Sequence, residues 1–393
     1  MAEHLMNTYR PLPVSFEHGA GAYLFDADGE RYLDALCGIA VCGLGHAHPA
    51  VSAAICEQAQ RLLHSSNLYR IDAQEELADE LCRIAAMERV FFSNSGAEAN
   101  EAALKLARLY GHGKGIETPQ IIVTEGSFHG RTLATLTATG NRKIQAGFEP
   151  LMPGFLRAPY DDLDAIRTIA ENSPNVVAIL VEPVTGEGGI QIPADDYLAE
   201  LRQLCDTHGW LFMLDEIQTG MGRTGRWFAH QHADIQPDVM TLAKALGNGV
   251  PIGACLARGA AAEVFQPGNH GSTFGGNPLV ARAALAVIDT MQQQQLVARA
   301  AELGASMLEQ LRARLGERDE VVAIRGKGLM LGIELDRPCA ELVQRALQQK
   351  LLINVTADSV VRLLPALILT DGQAGDIVTG VCDLIETFVE EDA

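Results

Sequence analysis

The chain has 393 residues, a formal net charge of −20 and a hydrophobic content of 48%. These values exclude a disordered or collagen-like chain, and the length is sufficient for two or three domains. The excess of acidic residues would repel nucleic acids and anionic membranes, so neither is an expected partner.

The eight cysteines are predicted to be free thiols of a protein in the reducing cytoplasm. None of them forms a C-x-x-C pair, and a chain of this length does not need a disulfide scaffold. The first residues contain no basic stretch followed by an apolar run, and no segment has about 18 consecutive apolar residues. We therefore expect a cytoplasmic location.

The first predicted element is a β-hairpin in which Asp28-Gly29 forms the turn between Ala22–Asp26 and Arg31–Leu33. Beyond it, short apolar runs alternate with helical stretches such as Glu98–Tyr110 and Ala194–His208. Six apolar runs are predicted strands: Val90–Phe92, Ile121–Val123, Val176–Val181, Leu211–Leu214, Val239–Leu242 and Gly253–Leu256. Continuously apolar strands are buried on both faces, so the alternation indicates an α/β domain with a mainly parallel sheet.

The pattern changes after about Gly276. The predicted elements that follow are helices over Pro278–Gln294 and Leu296–Leu315, a strand at Leu329–Leu335, a helix near Ala340–Lys350, a strand at Val360–Leu364 and a helix near Gln373–Val389. This order is typical of a smaller α+β C-terminal domain.

A candidate anion site follows the first strand of the α/β region. Ser95 and Glu98 have the spacing of a capping box, and Gly96 allows the backbone to approach a ligand. The free N–H groups at a helix start bind anions such as phosphate. Taken alone, the motif indicates only an ordinary capped helix.

Two more polar motifs end neighbouring predicted strands. Asp215 and Glu216 follow Leu211–Leu214, where a carboxylate can bind a metal, hold a cation or simply be solvated. Lys244 follows Val239–Leu242, and a poorly solvated lysine can act as a nucleophile. Each motif alone is usually unremarkable, but the anion site, the aspartate and the lysine together are what pyridoxal 5'-phosphate (PLP) requires.

Neither a metal site nor a dinucleotide site is predicted. His46-x-His48 has no third ligand nearby, so we interpret it as a turn. Gly220–Gly225 matches G-x-G-x-x-G, but it does not join a strand directly to a helix. We interpret it as a mobile glycine-rich loop beside the cofactor.

On these residues the chain resembles the class III aminotransferases of PLP fold type I, and among them most closely the acetylornithine aminotransferase group. The matching blocks extend over nearly the whole chain: Gly45–Pro49, Asn94–Asn100, Phe128–Arg131, Glu182–Gly189, Asp215–Gly225, Lys244, His270–Pro278 and Arg362–Pro365. The resemblance implies an α/β fold whose large PLP-binding domain, residues 46–280, has a mainly parallel sheet with helices on both faces. Residues 281–393 would form a small α+β domain, and residues 1–45 would pack with it.

The resemblance also implies cofactor-binding roles. The backbone N–H groups of Gly96 and Ala97 would bind the phosphate, and Phe128 would stack on the pyridine ring. Asp215 would pair with the ring nitrogen, Gln218 would reach the phenolic oxygen, and Lys244 would bind the cofactor covalently. A homodimer is implied as well, since Thr273 would complete the phosphate site of the other subunit, with Ser272 near the substrate.

Three further residues would select the substrates. Arg131 would bind the α-carboxylate of N-acetylornithine and later the distal carboxylate of 2-oxoglutarate, because guanidinium groups bind carboxylates bidentately. Arg362 would bind the α-carboxylate of 2-oxoglutarate. Glu187 would pair with Arg362 while the donor is bound, because an unpaired buried charge is costly.

The predicted reaction is transfer of the δ-amine of N2-acetyl-L-ornithine to 2-oxoglutarate, as in arginine biosynthesis. It would give N-acetyl-L-glutamate 5-semialdehyde and L-glutamate by ping-pong kinetics, with the amino group held as pyridoxamine phosphate between the halves. Lys244, Asp215 and Glu187 are the predicted catalytic residues. Lys244 is preferred to His129 as the group that moves the proton, because the lysine would already lie at the reacting carbon.

Other functions stay open on the sequence alone. The donor could be succinylornithine or N-succinyl-diaminopimelate, or the enzyme could be an ornithine or GABA aminotransferase or an aminomutase. Ile39 stands where ornithine aminotransferases carry a tyrosine, which favours a donor whose α-amine is acylated. A non-catalytic protein with the PLP fold is a further alternative, although such a protein would be expected to lack the lysine or the aspartate.

Overall fold

The computed structural model describes residues 4–391. It confirms the predicted N-terminal hairpin and adds a strand before it: β1 (Phe16–Ala20), β2 (Tyr23–Asp26) and β3 (Arg31–Asp34) are antiparallel. The Asp26 carboxylate stabilises the turn by accepting hydrogen bonds from the backbone N–H groups of Asp28 and Glu30. β3 also pairs in parallel with β13 (Leu351–Leu352), so a C-terminal strand completes this four-stranded sheet.

A left-handed helical turn, α1 (Cys37–Ala40), follows β3. The φ angles of its four residues are 52°, 64°, 66° and 60°. A left-handed conformation costs an L-residue about 1–2 kcal/mol, and only Gly38 adopts it freely. Ile39 is β-branched, which makes its positive φ particularly unfavourable. This turn therefore requires stabilisation from its surroundings.

A seven-stranded sheet forms the centre of the molecule, in the order β4-β10-β9-β8-β7-β5-β6. The strands are β4 (Arg89–Ser93), β5 (Gln120–Thr124), β6 (Phe155–Ala158), β7 (Val176–Val181), β8 (Leu211–Asp215), β9 (Val239–Leu242) and β10 (Gly253–Ala257). β10 is antiparallel to both of its neighbours, and the other pairings are parallel. The six predicted strands and the mainly parallel sheet are confirmed, whereas β6 was not predicted.

Helices cover both faces of this sheet. Ile121 and Val123 of β5 pack in one core with residues of α4 (Gly96–Gly113). Ile122, which lies between them, points to the opposite core, which contains residues of α7 (Leu163–Asn172) and α8 (Tyr197–His208). Successive side chains of a strand alternate between faces, so the continuously apolar runs follow from burial on both sides.

The remaining helices of the N-terminal two thirds are short or pack at the edge. They are α2 (Pro49–Arg61), α3 (Asp72–Ala85), α5 (Leu133–Ala138) and α6 (Arg142–Gln145), with 3₁₀ helices at Ala229–His232, Lys244–Leu246 and Gly259–Glu263. α2 and α3 pack against the first long helix of the C-terminal part.

The C-terminal part combines long helices with an antiparallel sheet, as predicted. Its helices are α9 (Pro278–Gln293), α10 (Leu296–Leu315), α11 (Leu342–Gln348) and α12 (Asp371–Glu391). Its sheet has the order β11-β12-β15-β14, formed by β11 (Val321–Lys327), β12 (Met330–Leu335), β14 (Asn354–Thr356) and β15 (Val360–Leu363). The division into domains at residues 45 and 280 stays a prediction.

Candidate active site

A cavity of about 400 Å³ lies beside the ends of β8, β9 and β10 and the start of α4. Ligands of open α/β sheets bind at the carboxyl ends of the parallel strands, so the position is the expected one. The cavity is lined by Val41, Asn94–Ala97, Phe128–Arg131, Glu182, Asp215, Ile217, Gln218, Ala243, Lys244 and Gly249–Ile252. It therefore brings together Gly96, Ala97, Phe128, Arg131, Asp215, Gln218 and Lys244 of the predicted site.

The start of α4 has the local structure that its sequence predicts. The Ser95 hydroxyl accepts a hydrogen bond of 3.2 Å from the Glu98 N–H, and the Glu98 carboxylate accepts one of 2.5 Å from the Asn94 N–H. The N–H groups of Gly96 and Ala97 belong to the first turn, where no intrahelical partner exists. A Cβ at position 96 would lie 2.7 Å from Cδ1 of Ile217, so any larger residue here would displace that side chain. The result is a pair of free amides at the cavity.

Asp215 is held at the end of β8 by buried side chains. Its Oδ2 lies 2.8 Å from Nδ1 of His129 and accepts a hydrogen bond of 2.7 Å from Nδ2 of Asn100. The side-chain Oδ1 of Asn100 in turn accepts a hydrogen bond of 2.8 Å from the Thr241 hydroxyl. The Ile217 N–H donates to Oδ1 at 3.1 Å. Asp215 is only 4% exposed, so this network fixes the direction of its carboxylate.

Lys244 lies at the first position of the 3₁₀ helix that follows β9, with a left-handed φ of 47°. Burial lowers the pKa of its amine below the ordinary value, and the nearby Glu187 and Asp215 carboxylates oppose this shift only in part. A buried amine with a lowered pKa can exist as the neutral base that nucleophilic attack and proton transfer require.

Glu187 and Arg362 form an ion pair beside this cavity. Nη1 of Arg362 donates to Oε1 of Glu187 at 2.7 Å and to Oε1 of Gln218 at 3.3 Å. Nε of Arg362 donates to Oδ1 of Asn354 at 2.9 Å. The arginine side chain is fully buried, while that of Glu187 is 36% exposed. Only Nη2 of Arg362 lacks a partner, so one nitrogen of the guanidinium is available.

Arg131 is the second cationic group of the site. Its guanidinium carbon lies 5.7 Å from the centre of the Phe128 ring, and its side chain is exposed. Within residues 4–391 it has no carboxylate partner. A guanidinium at the cavity without a paired carboxylate is suited to bind an anionic ligand.

Glu182 is a buried residue of the site for which the sequence analysis predicts no separate role. Its carboxylate oxygens accept hydrogen bonds of 3.0 Å from the N–H groups of Phe128 and Gly186, so it joins the two loops on either side of the cavity. Burial, together with the neighbouring Asp215, raises its pKa to about 7. A Cβ at position 186 would lie 2.3 Å from Nε2 of Gln218, so a larger residue there would displace the Gln218 amide.

The sequence analysis predicts no site role for Asn100 or Glu182 and considers His129 only as a base, because the contacts to Asp215 and Phe128 join residues that are far apart in the chain. Asp215 is separated from Asn100 by 115 positions and from His129 by 86. No spacing pattern reports such a contact. The one available signal was that all three residues lie within blocks that matched the family.

Ser272 and Thr273 do not line the main cavity. They lie in a second pocket of about 360 Å³, which also contains Phe91, Glu98 and Phe274. The two pockets meet at Asn94, whose Nδ2 lies 3.3 Å from the Ser272 hydroxyl. Within one chain these two residues are thus separate from Asp215 and Lys244.

The structure places the glycine-rich segment Gly220–Gly225 away from the main cavity. Gly222 and Gly225 pack against Met291 and Ala301 of the long helices. Arg223 is fully buried and donates to the carbonyl oxygen of Pro365. The expectation of a loop beside the cofactor is therefore wrong, because these glycines permit close packing against the C-terminal part instead.

Neither metal sites nor membrane spans are found in the part of the chain that the structure describes. Its His, Cys, Asp and Glu side chains form no group of three or more that could hold a metal ion. No helix among these residues is both long and apolar enough to cross a bilayer.

The model of the family "Aminotransferase class-III" matches residues 5–385. The chain belongs to the class III aminotransferases. An acetylornithine aminotransferase of Nitrosomonas europaea is 59% identical to it over 387 residues, which cover 98% of both chains. Acetylornithine aminotransferase 1 of Bordetella bronchiseptica is 54% identical, with full coverage of both chains.

Solved structures agree with this class III assignment. The ornithine aminotransferase of Toxoplasma gondii has a TM-score of 0.95 and 35% identity, covering 99% of this chain and 94% of its own. The N-acetylornithine aminotransferase of Stenotrophomonas maltophilia has a TM-score of 0.85 and 36% identity, covering 97% and 98%. The fold is thus PLP-dependent transferase fold type I. Because the similar structures include both ornithine and N-acetylornithine aminotransferases, the fold is common to enzymes for both substrates.

Class III aminotransferases use PLP, and another Toxoplasma gondii ornithine aminotransferase structure has partial occupancy of PLP at its active site. The residues of this chain fit the cofactor. The cavity offers free helix amides for a phosphate, a buried aspartate for a cationic ring nitrogen and a half-buried lysine for an aldehyde. His129 adds a buried Nε2 without a partner in the described chain. This class III enzyme is therefore a PLP-dependent aminotransferase.

Proposed function

We propose that this protein transfers the δ-amino group of N2-acetyl-L-ornithine to 2-oxoglutarate, a step of arginine biosynthesis. The observation that carries the proposal is the Glu187–Arg362 ion pair, formed beside a cavity that also holds the unpaired Arg131. The Arg131 guanidinium is always available, and Glu187 neutralises the Arg362 guanidinium, so the pocket accepts a donor with one carboxylate. When Glu187 moves away, the same pocket accepts a dicarboxylate acceptor. The names of the close relatives support the same substrate.

Gly96 and Ala97 would hold the cofactor phosphate with their N–H groups, and Phe128 would lie beside the cofactor ring. Asp215 would pair with the ring nitrogen, because His129 and Asn100 hold its carboxylate in a fixed orientation at the cavity. The bound cofactor withdraws electrons from the carbon that carries the amino group.

Lys244 holds the cofactor and moves the proton. Its neutral Nζ would take the proton from the δ-carbon of the donor and would return a proton to the reacting carbon of the acceptor in the second half-reaction. Gln218 would reach the phenolic oxygen with its side-chain N–H, while its Oε1 accepts from Arg362.

Arg131 binds the α-carboxylate of the donor and, later, the distal carboxylate of 2-oxoglutarate. Arg362 binds the α-carboxylate of 2-oxoglutarate after Glu187 leaves it. Bidentate pairing between guanidinium and carboxylate fixes the orientation of each substrate as well as its affinity.

The proposed assembly is a homodimer with shared active sites. Apolar side chains are exposed around the second pocket: Leu62, Leu63, Leu68, Tyr69 and Phe274. Asn67 donates hydrogen bonds to the carbonyl oxygens of Ser272 and Gly275, which joins both segments into one surface. A second copy would cover this surface and receive Thr273 at its phosphate site. We also expect a cytoplasmic location.

The substrate is tested with purified enzyme, PLP and 2-oxoglutarate, to which N-acetylornithine, N-succinylornithine, N-succinyl-diaminopimelate, ornithine or GABA is added separately. The expected result is the highest kcat/KM for N-acetylornithine, with parallel double-reciprocal plots. A higher value for ornithine or GABA would overturn the substrate proposal, and the absence of glutamate formation with every one of these donors would indicate a non-catalytic protein.

The dimer is tested separately by light scattering and by titration of the cofactor into the apoenzyme. We expect twice the monomer mass, and a cofactor dissociation constant that rises about tenfold in Thr273→Ala, the equivalent of one lost hydrogen bond to a charged group. A monomer with unchanged cofactor affinity would contradict the shared site.

A further inference from the structure

Asp34 and His46 close the segment that connects β3 to α2. Oδ1 of Asp34 accepts hydrogen bonds from the N–H groups of Leu36, at 2.9 Å, and Cys37, at 2.8 Å. Its Oδ2 lies 2.8 Å from Nε2 of His46. The aspartate side chain is 3% exposed and the histidine 15%. One buried carboxylate thus binds both ends of a short segment.

The left-handed turn α1 lies between these two residues. Three of its four residues are not glycine, and each has a φ between 52° and 66°. A backbone in this conformation persists only where surrounding contacts hold it. The hydrogen bonds that Asp34 makes to Cys37 and to His46 are such contacts, because they fix the entrance and the exit of the segment.

The turn packs against residues from both chain segments that carry the Glu187–Arg362 pair. Ala40 is buried in a small apolar cluster with Val184, Ile190, Met330 and Leu364. Val184 and Ile190 flank the loop that carries Glu187, and Leu364 follows Arg362 by two positions. The next residue after the turn, Val41, lines the main cavity. A shift of the turn would therefore move an apolar wall of the substrate pocket.

We propose that Asp34 and His46 are positioning residues that determine donor selectivity. They hold the left-handed turn in place, so that its apolar side chains and Val41 form a fixed wall of the substrate pocket. A donor with a second free ammonium group would lose its hydration water against this wall and would find no hydrogen-bond partner there. A donor whose α-amine is acylated carries no such charge. This inference rests on the proposed function.

The experiment compares His46→Gln and Asp34→Asn holoenzymes with His48→Gln. His48 belongs to the same motif, but its Nδ1 has no partner in the described chain, so it is a matched control. In the two test variants we expect the ratio of kcat/KM for N-acetylornithine to that for ornithine to fall about tenfold, within the range set by a pocket contact. In the same two variants we expect faster hydrogen exchange of the amides of residues 37–43. In His48→Gln neither the ratio of kcat/KM values nor the exchange rate should change.

A strain-relief variant separates positioning from general destabilisation. Ala40→Gly removes the cost of the left-handed conformation, because glycine adopts positive φ freely. In the His46→Gln background it is therefore expected to restore at least half of the lost selectivity and of the exchange protection. Lost selectivity without rescue would overturn the proposal, as would unchanged selectivity in a variant whose turn exchanges faster.

Failure of this inference and failure of the proposed function are distinguishable. If the wild-type enzyme does not use N-acetylornithine, the substrate proposal is wrong. If it does, and His46→Gln keeps the full selectivity, only the role of Asp34 and His46 is overturned.

Discussion

Arg362 donates a hydrogen bond of 2.7 Å to Glu187, and the two charges lie at the edge of the cavity that contains Lys244. The arginine is fully buried and the glutamate is partly exposed. The pair can thus open from the glutamate side while the arginine stays in place. This asymmetry is what a pocket needs when it binds two substrates of different charge in turn.

Glu187→Gln is expected to impair the donor half-reaction more than the 2-oxoglutarate half-reaction. Without the carboxylate, Arg362 remains charged and unpaired while a donor with a neutral chain is bound. We expect kcat/KM of the donor half to fall about tenfold, equivalent to about 1.4 kcal/mol, with a smaller change for 2-oxoglutarate. Stopped-flow absorbance of each half-reaction measures this. Glu171→Gln, at an exposed position, is the control. Equal losses of kcat/KM in both half-reactions would contradict the proposed movement of Glu187 between the two substrates.

Lys244→Ala is expected to abolish nearly all turnover. General acid–base catalysis contributes about 10²–10⁴-fold, and no other amine of the described chain lines the cavity. Steady-state formation of glutamate measures the loss, and circular dichroism checks the fold. Lys244→Arg should be similarly inactive, because guanidinium stays protonated at neutral pH. Normal turnover in either variant would refute the mechanism.

The strands of the central sheet were predictable because burial on both faces makes them continuously apolar. Val239–Leu242 agrees with the structure at both ends. The half-buried strand Val321–Lys327 was missed because its polar residues interrupt that pattern. The left-handed turn was also missed. Its sequence contains one glycine and a β-branched Ile39, so local propensity argues against the conformation that tertiary contacts impose.

The residues of the site also fall into those that the sequence predicts and those that it does not. Asp215 and Lys244 could be found because each follows an apolar strand and the ends of neighbouring strands meet at one edge of the sheet. Partners such as His129 and Glu182 could not, because their contacts depend on how loops fold across that edge. The Glu187–Arg362 contact was anticipated through the family resemblance, and its function as a switch stays a prediction.

His129→Leu is expected to weaken cofactor binding. The substitution removes the imidazole whose Nδ1 lies 2.8 Å from Oδ2 of Asp215. A carboxylate that loses this partner is no longer held in one orientation and would pair less well with the cofactor ring. We expect the cofactor dissociation constant of the apoenzyme to rise about tenfold or more, measured by fluorescence titration. His112→Leu, at the solvent-exposed end of α4, is the control. Unchanged affinity in His129→Leu would show that Asn100 alone suffices.

The stability of the enzyme is expected to fall as the pH rises from about 6.5 to 9. The Asp34 carboxylate raises the pKa of His46 to about 9, although burial opposes this, and the Cys42 thiol also faces the ring. In the unfolded chain the pKa of histidine is about 6.5. Between these values the folded state binds more protons, so its contribution is complete below pH 6.5 and lost above pH 9. The contribution of this histidine to the free energy of unfolding is at most about 3 kcal/mol.

The melting temperature of the wild-type holoenzyme should therefore decrease more steeply over this pH range than that of His46→Gln, whereas His48→Gln should follow the wild type. Parallel curves for the wild type and His46→Gln would mean that the ion pair does not stabilise the fold.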